Sequence, residues 1–219
     1  MISVVIPTLI RNTEQEALTH KCIDAAYKNT KIPFELVIVE TETNLFANKA
    51  DVHIYERLRT SSTRSINRGF RCASGELIAL LTNDVIVDEN WLEHLIEPFD
   101  KVDCGISTLA TDQFNHEKKD EIKEGIWFGC AMIPKEEAWF DENYQNSWDD
   151  SDLIMRVYLK GRKMYRNYKS VVHHKPGQTL YADPKHHELY FRNRDYFIKK
   201  HIQFQQSWAY QVIVGGIIV

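Results

Sequence analysis

Three groups of residues in this 219-residue chain have the types and spacing for chemistry. Asn83 and Asp84 follow Leu77-Ile78-Ala79-Leu80-Leu81, an unbroken apolar run of strand length. Such a run reads as a central strand buried on both faces, and open α/β sheets bind ligands beyond the carboxyl ends of their strands. A hard divalent cation bridging a diphosphate needs one or two carboxylates plus phosphate oxygens, and Asp84 is placed to supply one. A turn would use the same pair of residues, so position alone leaves both readings open.

The second group is Trp148-Asp149-Asp150-Ser151-Asp152, at the start of a helical stretch. Asp149 as N-cap, with acids in the first turn, accounts for one or two carboxylates. Three beside a tryptophan suggest that one is a general base whose pKa its neighbours raise. The third group is His173-His174. Adjacent residues of a strand point to opposite faces, so at most one is expected to reach a metal near Asp84. Imidazole beside carboxylate and phosphate oxygens leans the cation toward Mn²⁺ without excluding Mg²⁺. Glu40 ends a strand where an acid can accept from a base or ribose hydroxyl, and Arg64, Asn67 and Arg68 lie on the helix before Gly69, with Arg64 and Arg68 on one face.

The elements that must position these residues follow a βαβ order from the start. Strands are expected at 2–6, 34–39, 52–55, 77–81, 105–109 and 126–133, with short ones near Met164 and Val171. Helices are expected at 14–29, at 62–73 with Thr60 or Ser61 as cap, after Asp88 as cap, at 151–159 closed by Gly161, and in an aromatic-rich stretch after Pro184. The pattern predicts an α/β fold with a central, mostly parallel sheet flanked by helices, in one domain over 1–203. The apolar tail at 204–219 is expected either to pack on that domain or to face a membrane.

Bulk properties narrow the classes. A net charge of −4 gives no general attraction to nucleic acid. Cys22, Cys72, Cys104 and Cys130 show neither a CxxC pair nor zinc spacing and read as reduced thiols. The N-terminus begins as a strand and not as a secretion signal, and no segment reaches the roughly 20 apolar residues of a membrane span. The expected location is cytoplasmic, with peripheral contact at the inner face of a membrane through Lys199-Lys200-His201 and the tail as an addition.

In this order the features resemble the inverting family 2 glycosyltransferases of the GT-A fold, particularly the rhamnosyltransferase-like members, over residues 2–201. Ser3-Val4-Val5-Ile6-Pro7-Thr8 looks like the family's first strand, Glu40 falls at its nucleotide-contacting acid, and Asn67-Arg68-Gly69 is similar to its Asn-x-Gly helix. Leu80-Leu81-Thr82-Asn83-Asp84-Val85 takes the place of its DxD-like motif, which carries the metal-ligand role to Asp84. Asp149-Asp150-Ser151-Asp152-Leu153 resembles its Glu-Asp-x-Asp-Leu segment, which makes Asp150 the expected catalytic base and Asp149 the replacement of the usual Glu. His174 matches a His-x-x-Gly-type position better than His173, and Tyr190-Phe191-Arg192-Asn193-Arg194 resembles a late aromatic Arg-Asn segment.

The resemblance implies a nucleotide-diphosphate sugar donor contacted by Pro7, Thr8, Glu40, Arg64, Asn67, Asn83 and Asp84. It also implies a divalent cation on Asp84 and His174, and transfer with inversion. Acceptor classes are a glycan, a lipid-linked sugar, a protein side chain or a modified nucleobase. A nucleotidyltransferase would want a Gly-rich basic loop after the first strand, where this chain has Pro7-Thr8-Leu9-Ile10-Arg11-Asn12. A catalytically idle sugar-nucleotide or glycan-binding module would bind without turnover.

Overall fold

The computed structural model describes residues 1–101, 103–125, 130–174 and 186–215. The first half alternates strand and helix: β1 (Ile2–Leu9), α1 (Thr13–Lys28), β2 (Glu35–Thr41), β3 (Val52–Glu56), α2 (Ser62–Cys72) and β4 (Leu77–Leu81). The second half contains β5 (Val85–Val87), α3 (Trp91–Ile96), β6 (Cys104–Thr111), β7 (Ile122–Glu124), β8 (Cys130–Pro134), α4 (Asp149–Leu159), β9 (Lys163–His174), α5 (His186–His201) and α6 (Trp208–Gly215). All strands among the described residues join one sheet in the order β3-β2-β1-β4-β8-β6-β9-β5, with β7 also paired to β9.

The architecture is α/β with a central sheet between helices, as expected. Parallel pairing runs through β3, β2, β1 and β4. Beyond β4 the sheet is mixed: β8 is antiparallel to β4 and β6, β9 is parallel to β6, and β5 and β7 are antiparallel to β9. Successive side chains of β1 enter two different cores. Val4 and Ile6 pack with Ile23, Trp91 and Leu92, whereas Val5 packs with Ile66, Phe70, Leu153 and Ile154. Burial on both faces explains the unbroken apolar runs of β1, β2 and β4. Gly69 lets α2 lie against β1, because a Cβ there would overlap the Val5 side chain.

Several expected boundaries change for physical reasons. Where two short strands were read near Met164 and Val171, β9 is one 12-residue strand. Its register against β6 jumps between Leu109↔Asn167 and Ala110↔Val171, which places the polar residues that broke the apolar pattern in an irregularity. Asp88 does not cap α3: Asn90, in the left-handed region, occupies that place, and Asp88 instead accepts from the Val171 N–H and pairs with His173. Asp149 is likewise inside α4 rather than its cap, which is Trp148. At α2 the cap is Ser61, whose hydroxyl accepts from the Arg64 N–H.

Cys22, Cys104 and Cys130 are buried free thiols and Cys72 is exposed. Among the described residues no helix is long and apolar enough to cross a membrane. In α6, Ala209 and Tyr210 are buried in a cluster with Trp148, Met155 and Phe197, and Val212 is buried as well. The segment 175–185, which carries the Gly and Thr of the His-containing motif, lies outside the described residues, as do 126–129 of the expected strand 126–133 and 216–219 of the tail.

Candidate active site

A cavity of about 620 Å³ opens at the carboxyl ends of β1 and β4. The turn after β4 is closed by the Val85 N–H donating to the Thr82 carbonyl. Asn83 donates from its amide to Thr19 Oγ1 at 2.8 Å, which ties the turn to α1. The next strand decides what meets Asp84. β5 is antiparallel to the end of β9, with Val85 opposite His174 and Ile86 opposite His173. His174 Nε2 therefore lies 3.4 Å from Asp84 Oδ1, with both side chains mostly buried. His173 emerges on the other face between Asp88 and Asp112. Burial opposes its protonation, but the two carboxylates outweigh that and raise its pKa.

The second wall of the cavity is the start of α4. Trp148 has φ 66°, a left-handed backbone that a bulky residue adopts only where its surroundings hold it. Three contacts hold it. Asn193 of α5, almost fully buried, donates to the carbonyls of Gln145 and Ser147 at 2.8 and 3.0 Å. Asn146 accepts from the Ser62 N–H and hydroxyl at the start of α2. Thr63 donates to Asp149 Oδ2 at 3.0 Å. The Trp148 indole N–H is buried with no acceptor among the described residues.

The three acids of α4 are treated differently. Asp149 is buried, and burial together with the Asp150 charge pushes its pKa up. Asp150 is half-buried, accepts from the Ser151 N–H at 2.7 Å, and is also raised by burial. Asp152 is fully buried and turned away, paired with Arg156 Nε at 3.1 Å, Lys200 Nζ at 2.7 Å and His201 Nε2 at 2.8 Å. Burial would raise Asp152, but His201, Lys200 and Arg156 outweigh it and hold the carboxyl below its usual value. Lys200 and His201, counted in the sequence as part of a basic patch beside the tail, are thus engaged inside the protein.

Of the expected site residues, Pro7, Thr8, Asn83, Asp84, Asp149, Asp150 and His174 line this one cavity. Glu40, Arg64 and Asn67 do not. Glu40 is fully buried beneath the loop after β2, accepting from the Leu45 and Phe46 N–H groups and the Thr43 hydroxyl and contacting His53. Burial opposes its ionisation, yet those bonds keep its pKa low. Asn67 is buried with both amide groups bonded to the backbone of Phe140, and Arg64 is an exposed partner of Glu142. Wall residues that sequence reasoning missed include Thr41, Arg59 and Ile213. Arg59 sits in the basic stretch Arg57-Leu58-Arg59, a signal that was available, while nothing local marks Ile213 of α6 as part of a cavity built on β1 and β4.

The donor set fits a divalent cation. Asp84 and His174 stand near the ligand–ligand spacing of about 3 Å that metal bonds of about 2.1 Å require for neighbouring ligands. Among the described residues no third His, Cys, Asp or Glu joins them, so phosphate oxygens and water would complete the shell.

The family model for Glycosyl transferase family 2 matches residues 3–165. No curated protein matches the sequence. Among solved structures, the mannosyltransferase PcManGT from Pyrobaculum calidifontis, in complex with GDP-Man and Mn2+, superposes with a TM-score of 0.65 at 16% identity, over 82% of this chain and 58% of that one. GalNAc-T7 with UDP, GalNAc and Mn2+ gives 0.67 at 14% identity, over 95% of this chain and 51% of that one. TarS 1-349 of S. aureus gives 0.62 at 13%, over 79% and 60%. The chain thus spans between half and three-fifths of the length of these structures, and the likeness establishes the GT-A fold.

Proposed function

Because this chain belongs to glycosyl transferase family 2, we propose that it transfers a sugar from a nucleotide-diphosphate sugar to an acceptor hydroxyl with inversion at the anomeric carbon. The observation that carries the reading is that the Asp84–His174 pair and the Asp150 carboxylate line the same cavity. Asp84 and His174 would hold a divalent cation, Mn²⁺ or Mg²⁺, which supplies charge neutralisation at a leaving diphosphate. Asn83 keeps the Asp84 turn against α1. Pro7, Thr8 and Thr41 wall the donor end of the cavity, and Arg59 adds a guanidinium suited to phosphate oxygens. Glu40 acts through the loop it folds and not by touching the nucleotide.

Asp150 is the base in this reading. Asp149 is held by Thr63, whereas the bonds to Asp150 come from the first turn of its own helix. The Asp150 carboxylate takes the acceptor hydroxyl proton as that oxygen bonds to the anomeric carbon. The bond from that carbon to the diphosphate oxygen breaks, and its electron pair leaves with the oxygen. One displacement inverts the centre and needs a single base. Glycan, lipid-linked sugar, protein side chain and modified nucleobase acceptors would all use the same base. Peripheral membrane contact belongs to the lipid-linked case alone, and its support is that Trp208 and Lys199 are both exposed.

A panel of UDP-, GDP- and dTDP-sugars, with and without Mn²⁺, tests the proposal. One donor is expected to bind only with metal and to be slowly hydrolysed, and Asp84→Ala is expected to abolish binding. If no donor binds under any metal condition, the reading fails. Metal-dependent binding with no transfer or hydrolysis would favour the idle module.

A further inference from the structure

Among the described residues, the two ring nitrogens of His174 contact Asp84 and Gln113. Nε2 lies 3.4 Å from Asp84 Oδ1, and Nδ1 lies 2.9 Å from Gln113 Oε1. A neutral imidazole carries one N–H, and an amide carbonyl only accepts. Of the two neutral forms, the contact with Gln113 is therefore made by the one protonated on Nδ1, whose Nε2 lone pair then faces Asp84. We propose that Gln113 is a positioning residue that fixes His174 in its Nδ1–H tautomer and aims Nε2 at the cation site. This inference rests on the metal reading of Asp84 and His174.

The chain around Gln113 is built to hold that contact. Gln113 lies in a short 3-10 turn, Asp112–Phe114, directly after β6. The turn is capped by Thr111, whose hydroxyl accepts from the Gln113 N–H at 3.2 Å. Asn115, left-handed at φ 55°, closes it by donating its N–H to the Asp112 carbonyl at 2.9 Å. The His116 N–H donates to the Thr111 carbonyl at 3.1 Å. The same turn grips the strand that carries His174, because Asp112 Oδ1 accepts from the His174 backbone N–H at 3.1 Å and Oδ2 pairs with His173. Asp112 thus fixes the backbone of His174, β5 fixes its register, and Gln113 fixes its ring. Such partners of a ligating histidine set its tautomer and orientation.

The rotated arrangement of the Gln113 amide makes an opposite prediction. Its NH₂ would then donate to Nδ1, and the proton would sit on Nε2 facing Asp84. That would be a carboxylate–imidazole pair with no lone pair for a cation.

Long-range ¹H–¹⁵N spectra of the metal-free protein near pH 8.5 separate the two, with His174→Gln to assign the ring signals. The wild type and Gln113→Glu are expected to show His174 as the Nδ1–H form, and Gln113→Leu is expected to lose it. Mn²⁺ binding, followed through the EPR signal of the free ion, is expected to weaken about tenfold or more in Gln113→Leu with the melting temperature unchanged. An Nε2–H wild type overturns the inference, as does a Gln113→Leu protein with unaltered tautomer and Mn²⁺ affinity. An Nδ1–H wild type that holds Mn²⁺ no better than Asp84→Ala upholds the orientation by Gln113 while overturning the metal reading of the site.

Discussion

Asp150 and Asp152 stand two residues apart on the first turn of α4, and the protein surrounds them in opposite ways. Asp152 is buried among Arg156, Lys200 and His201, which outweigh the burial and keep it charged. Asp150 and its neighbour Asp149 are given serine and threonine partners at a cavity wall, and burial raises both. One helix turn therefore carries a structural anion on one side and candidate proton acceptors on the other. A carboxylate saturated with cations is a poor base, and a carboxylate with a raised pKa is a better one. Proximity in sequence says little about role here; the charges brought from α5 decide it.

Removing one carboxyl charge at a time should split this comparison. The largest effect is expected from Asp150→Asn, which should lower kcat by about a thousandfold while leaving metal-dependent donor binding intact. Equal losses in donor binding and turnover would break the assignment of Asp150 as base. Asp152→Asn should leave the cavity acids unchanged but strand cations in the interior. With a cost of about 3 kcal/mol, the expected fall in melting temperature is roughly 10 °C. An Asp152→Asn protein as stable as the wild type would remove the structural half of the comparison.

Asp149→Asn is the smallest and the most specific of the three. Raised in the folded state, the Asp149–Asp150 pair adds stability that is complete below the ordinary carboxylate range and is lost as pH rises through the folded values. Asp152, lowered, adds stability above that range and loses it as pH falls through its folded value. Asp149→Asn keeps an acceptor for Thr63 and removes the repulsion between the two carboxylates. Its melting temperature near pH 8 should exceed the wild type's by about 3 °C, with the difference closing near pH 4. The acidic limb of its kcat profile should move to lower pH, because Asp150 then ionises more readily. A limb that stays in place would show that the two carboxylates do not sense each other.

The sequence made local features legible and left long-range ones hidden. The run Leu77–Leu81 announced a strand buried on both faces, and Asp84 could be placed at its end. Strand alternation separated His173 from His174 without structural help. β7 was missed because a three-residue edge strand with Lys123 and Glu124 has no apolar signature. β9 was broken in two because the polar residues around Asn167 fall in its irregularity. Glu40 was placed correctly at a strand end, yet its fate depends on Leu45, Phe46 and His53, whose approach no spacing reveals. The cations of Asp152 that lie on α5 arrive from 48 and 49 positions along the chain (200 − 152 and 201 − 152). Three acids within four positions read alike until that helix is in place.

Titration of the aspartate carboxyl carbons by ¹³C NMR, with Asp149→Asn, Asp150→Asn and Asp152→Asn for assignment, tests the central claim most directly. The expected result is Asp149 and Asp150 titrating above the ordinary carboxylate range and Asp152 below it. Three carboxyls titrating together, or Asp150 below Asp152, would contradict the separation of base from anchor on α4.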